Sequence, residues 1–89
     1  MKKLLLLFLI LTSITFATPN CKVITRSSFI NQVCYENETK EMWMLLKDQW
    51  YKYIGVPNYV HENLMIAPSM GQFFNYNIKD HYLFTREAP

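Results

Sequence analysis

Apolar and polar positions alternate along this chain in blocks whose period changes twice. A first block, Leu4-Leu5-Leu6-Leu7-Phe8-Leu9-Ile10-Leu11, is unbroken and follows Lys2 and Lys3, with Thr15-Phe16-Ala17 behind it. A charged start, an apolar run and a small-x-small site make the pattern of a secretory signal cut after Ala17. The run from Leu4 to Phe16 rises about 20 Å as a helix, against a hydrocarbon core of ~30 Å, which argues against a retained anchor. A second block consists of short stretches rich in β-formers. Phe29, Ile30, Val33 and Tyr35 end at the polar Glu36-Asn37-Glu38-Thr39-Lys40. Met42 to Leu46 follow, then Lys47-Asp48-Gln49, then Trp50 to Ile54. Polar connections of three to five residues between strands predict a three-stranded antiparallel meander. Met42-Trp43-Met44-Leu45-Leu46 is apolar at every position. Such a strand is either central and covered on both faces, or it offers an apolar strip to a partner.

The period becomes helical after Gly55-Val56-Pro57. Val60, Leu64 and Ala67 recur at helical spacing, with Asn58 as the expected N-cap and Pro68 as the stop. Ser69 with Gln72 three residues on matches a capping box, opening a helix that carries Phe73, Phe74, Ile78 and Tyr82. Residues 85–89 show no pattern and read as a frayed tail. The expected fold is α+β: a three-stranded antiparallel β-meander, with room for an extra N-terminal strand, packed against two short C-terminal helices. The expected organisation is a signal at 1–17, a lead-in at 18–22, one domain at 23–84 and a tail at 85–89.

Composition sharpens this picture in one respect. The 89 residues are 51% hydrophobic and 16% aromatic, which excludes a disordered chain, and the formal charge is +2. Both excess positive charges are Lys2 and Lys3. Without them, seven basic residues face seven acidic ones. A neutral mature chain of 72 residues, its Lys and Arg scattered, is a poor polyanion binder.

Export would place Cys21 and Cys34 where disulfides persist. The midpoint between them falls between Ser27 and Ser28, so a hairpin turning at Arg26-Ser27-Ser28 would set the two opposite one another. Two separate reduced thiols are the alternative. Closing the loop would add about 3 kcal/mol in the chain-entropy model, whereas redox chemistry lacks its Cys-x-x-Cys spacing.

The residues Arg26-Ser27-Ser28-Phe29-Ile30, Val33-Cys34-Tyr35, Tyr51-Lys52-Tyr53-Ile54-Gly55-Val56-Pro57, and then Leu64, Ala67, Ser69, Gly71, Phe74, Asn75, Ile78 and Tyr82 together resemble the KTSC domain. That module is named for its place at the C-terminus of some lysyl-tRNA synthetases, and it also occurs as a stand-alone bacterial protein. The resemblance covers about residues 23–84. It implies a domain whose biochemical function is not established and for which RNA binding has been suggested. Cys34 stands where members often have glycine, and Asp48-Gln49 lacks the glycine usual in the second hairpin.

Candidate chemistry is sparse. Tyr51 and Tyr53 emerge on one face of a strand with Lys52 on the other, an arrangement that can stack nucleobases or simply form core. Trp43 and Trp50 add aromatic surface near the apolar strip. His61-Glu62 and Asp80-His81 lack chelating spacing for a metal. Ser27 and Ser28 sit in no nucleophile elbow and suit turn capping, while Ser69 and Gly71 resemble a phosphate-binding helix start only faintly. No cofactor is expected. The reading is a small exported, non-catalytic binding module, periplasmic or secreted. Its partner is expected to be a protein or envelope component, or a second copy docking on the Trp43 strip, and it meets the membrane only through its signal. Nucleic-acid binding through Tyr51 and Tyr53 is the alternative.

Overall fold

The computed structural model describes residues 18–89; the signal reading at 1–17 lies outside the described residues. Five strands form one antiparallel sheet in chain order: β1 (Asn20–Val23), β2 (Ile30–Glu36), β3 (Glu41–Leu46), β4 (Gln49–Ile54) and β5 (Phe84–Thr85). Helices α1 (Asn58–Ile66) and α2 (Met70–Asn77) lie between β4 and β5 in sequence and cover one sheet face. The α+β class and the three central strands are as the pattern predicts. The sheet is wider than three, with the N-terminal strand present and a fifth strand formed by Phe84–Thr85, in part residues read as tail.

The meander arises from tight polar turns. Glu36 and Glu41 close a four-residue turn in which the Lys40 amide donates to the Glu36 carbonyl at 2.9 Å and the Glu36 carboxylate accepts from the Glu38 amide at 3.0 Å. Leu46 and Gln49 pair across a two-residue turn, Lys47-Asp48. Lys47 takes φ 58° there, a left-handed conformation that glycine or asparagine usually supplies in such loops. In β2 one extra residue, Asn31, interrupts the register between Ile30 and Gln32. Its side-chain amide donates to the Lys47 carbonyl at 3.0 Å, tying this bulge to the second hairpin.

β3 is the central strand, which decides how its apolar run is used. Met42 and Met44 are fully buried on the helix side with Ile30, Val33, Leu64 and Ile78. Trp43 points to the other face and is only 8% exposed, so the run is not an open strip. Its indole Nε1 is buried without a hydrogen-bond partner among the described residues. The helices differ from expectation at their ends. Pro57, not Asn58, occupies the N-cap of α1, because proline's fixed φ suits the extended cap residue and Asn58 then starts the helix. α2 stops at Asn77, with Ile78 as C-cap, so Tyr82 lies beyond the helix. The Ser69 hydroxyl accepts from the Gln72 amide at 3.2 Å, as the capping pattern predicts.

Candidate binding groove

Many of the singled-out residues build the frame. Ser27 Oγ accepts from the amides of Ile30 at 3.1 Å and Phe29 at 3.4 Å, fixing the turn into β2. Arg26 reaches from that turn to the end of α1, donating to the carbonyls of Ala67 and Met65, each at 2.9 Å. Those are carbonyls that a helix leaves unpaired at its C-terminus. The buried Tyr35 hydroxyl donates to the Val56 carbonyl at 2.6 Å, locking the segment before Pro57 to β2. Gly71 lies against Phe29: a Cβ there would stand 2.8 Å from Phe29 Cε1.

Cys21 pairs directly with Cys34 across β1 and β2 and the two form a disulfide, with Cα atoms 3.9 Å apart. Of the two thiol readings, the disulfide is the one present. A disulfide is consistent with an oxidising compartment. It fastens an edge strand whose residues are all exposed.

The five residues considered for binding divide between the two sheet faces. Tyr51 and Tyr53 face the helices. Tyr53 is 4% exposed and packs edge-on to Phe74 at 5.8 Å between ring centroids. Burial, followed by the proximity of Tyr51 and Asp80, pushes its hydroxyl up to about 12. Tyr51 is half-buried. Trp43 and Lys52 pair across β3 and β4 on the opposite face, and Trp50 follows Lys52 there by strand alternation. The paired tyrosines therefore do not present an open stacking platform, and Trp43 is buried instead of displayed.

Beside Tyr51 a groove of about 400 Å³ opens between β4, β5 and α2. Its apolar walls include Phe29, Tyr51, Tyr53, Phe74, Tyr82 and Phe84, and its polar rim is Asn75, Lys79, Asp80 and Arg86. Phe84 meets Tyr51 edge-on at 5.3 Å and Tyr53 at a tilt at 5.6 Å, and the Arg86 guanidinium lies 5.8 Å over the Tyr51 ring. A second, more polar cleft of about 370 Å³ adjoins it, gathering Ser28, Ser69, Gly71 and Asn75 at the start of α2. Phe84, Arg86, Lys79 and Asp80 were not expected at a site. The signal for Phe84 was only an aromatic beside a β-branched Thr85, too short a pattern to predict a strand.

On the far side of α1, the His61 ring stacks on Tyr35 at 4.4 Å and 6°. Its Nδ1 is buried without a hydrogen-bond partner among the described residues. Burial lowers its pKa, with the Glu62 carboxylate opposing. Among the described residues no group of three His, Cys, Asp or Glu side chains is placed to hold a metal ion.

This architecture is that of a small sheet-and-helix-pair domain with a lateral groove. The KTSC domain family model matches residues 26–82, and the chain belongs to that family. A crystal structure of a KTSC domain protein from Yersinia pestis is similar, with 29% sequence identity and a TM-score of 0.75 over 80% of this chain and 100% of that one. No curated protein matches the chain.

Proposed function

We propose that the mature domain is a non-catalytic binding module, acting in the periplasm or outside the cell, that takes an apolar or aromatic part of a protein or envelope component into the groove beside Tyr51. The observation that carries this reading is the convergence of six aromatic rings, from β4, β5, α2 and the flanking loops, on one surface groove. Concave sites that combine apolar walls with a few rim polar groups are the usual form of a ligand site. Lys79, Asp80 and Arg86 supply that rim and would orient the ligand.

A photo-crosslinking residue in place of Tyr51 in the exported chain tests this, with the same residue in place of exposed Val23 as control. The expected result is one adduct of defined mass from Tyr51 and none from Val23, weakened by Asn75→Arg, which fills the groove mouth. Equal labelling from both positions would refute it. Nucleic acid is the weaker reading. Lys79 and Arg86 favour an anion, but the second tyrosine of the pair is buried and the first already carries Phe84 and Arg86. Salt-dependent micromolar retention of single-stranded RNA on a filter would reverse that ranking.

A further inference from the structure

β5 pairs with β4 at only two positions, Lys52 with Thr85 and Tyr53 with Phe84, and the Ile54 amide donates to the Leu83 carbonyl at 2.9 Å. In an antiparallel ladder, alternate residues direct both N–H and C=O toward the same neighbour. The groups of Ile54, Lys52 and Trp50 therefore face outward from β4, and pairing ends before Trp50. The Trp50 carbonyl accepts from its neighbour's side chain, the Gln49 amide, at 2.9 Å. Open strand edges of this kind accept further strands.

Beyond Thr85 the chain leaves the ladder but keeps the alternation. Phe84 and Arg86 point into the groove, onto Tyr53 and Tyr51. Glu87 lies on the opposite side, 3.4 Å from the Lys52 ammonium, and accepts from the Thr85 hydroxyl at 2.7 Å. That hydroxyl first, and Lys52 second, hold the Glu87 carboxyl below the usual range. The segment thus behaves as a bound peptide: an aromatic in the groove, a cation on Tyr51 and a carboxylate on Lys52. It is held lightly, since Leu83, Phe84 and all later residues are exposed.

We propose that β4 is a strand-addition site and that residues 83–87 are its internal occupant, displaced by an extended segment of a partner protein. That segment carries an aromatic residue with a carboxylate three positions after it. This rests on the groove being the binding site and adds its mode of occupation and its regulation. A partner strand reaching Trp50 would complete the ladder that the chain's own tail leaves unfinished, which gives it an advantage over the tail.

The probe is a fluorescent peptide of sequence Leu-Phe-Thr-Arg-Glu-Ala-Pro, titrated by anisotropy against the mature chain and against its Thr85→Pro variant, which removes a ladder donor from the tail. Glu87→Gln is the milder second variant. We expect at least tenfold tighter binding to Thr85→Pro than to the unsubstituted chain, a smaller gain with Glu87→Gln because Lys52 keeps Glu41 at 3.3 Å, and a tenfold loss when the peptide's Phe is Ala. Slowed exchange of the Trp50 amide should accompany binding. Equal affinity for all three chains, or an unprotected Trp50 amide, overturns the proposal. A concentration-dependent dimer of the unsubstituted chain that Thr85→Pro abolishes also overturns it, assigning the edge to the tail of a second copy. Capture from position 51 that is unchanged by Thr85→Pro would leave the groove as the binding site and remove only the tail's role.

Discussion

Tyr35→Phe removes one oxygen from the centre of the domain and leaves nearly everything else in place. The ring remains in the core and stacked on His61, so little apolar burial changes. What is lost is the 2.6 Å bond to the Val56 carbonyl, in a buried residue, 4% exposed. Removing one partner of a buried pair leaves the other desolvated and unpaired, at a cost of about 1–3 kcal/mol. For a domain of this size each kcal/mol shifts Tm by about 4–8 °C. We therefore expect Tm to fall by about 8–16 °C for a loss near 2 kcal/mol. Urea unfolding of the oxidised protein followed by circular dichroism should show a lower midpoint with an unchanged m-value. A loss below about 0.5 kcal/mol would mean that the carbonyl finds another donor, and that Tyr35 does not lock the Val56-Pro57 corner.

Four further perturbations have definite signs. Cys21→Ser should cost about 3 kcal/mol on the chain-entropy account of a loop spanning 13 residues, read by denaturation beside the reduced parent, which should match it. Lys47→Gly should be neutral or stabilise by up to about 1 kcal/mol, because φ 58° disfavours a side chain; clear destabilisation would show that the lysine side chain holds the turn. Gly71→Ala should destabilise by about 1 kcal/mol despite alanine's better helix propensity, since its Cβ would press on a Phe29 ring already packed on Phe74; a rise in Tm contradicts this. His61 has a folded pKa below its unfolded 6.5, so its stabilising effect is complete above pH 6.5 and is lost as pH falls through the folded value. His61→Phe should flatten stability across that interval, and an unaltered slope would place the titration elsewhere.

The central meander was legible because its signals are local: β-formers over a few residues, polar turns between them, and a capping serine three residues from Gln72. The disulfide register could be drawn from a turn midpoint. The facing of Tyr51 and Tyr53 left two outcomes, and only α2 packing on β4 chooses between them. Likewise, an unbroken apolar run from Met42 to Leu46 fits a central strand or an open strip equally, and the outcome depends on edge strands that come from both ends of the chain. β5 escaped detection because two residues carry no period. It exists through non-local partners, the Tyr51 and Tyr53 rings and the Lys52 ammonium.

This division between local frame and distant edge bears on what family membership implies. Within residues 26–82, the recognisable residues have structural tasks: Ser27 and Ser69 cap, Arg26 closes α1, Tyr35 holds Val56, and Gly71 admits Phe29. Such residues specify a fold and say little about a ligand. The features that shape the mouth of the groove, Phe84 with Arg86 above Tyr51, and Glu87 on Lys52, lie beyond residue 82. The disulfide's outer half, Cys21, also falls outside the matched segment, ahead of residue 26 and on the opposite edge. Substitutions in the tail should therefore change what is bound without unfolding the domain, whereas substitutions at the capping and packing residues should unfold it without changing preference. Phe84→Ala and Ser69→Ala place these alternatives side by side. The first is expected to alter peptide affinity with Tm nearly constant. The second is expected to lower stability by about 1 kcal/mol with affinity unchanged in the folded fraction, and the reverse pattern would put recognition back into the shared frame.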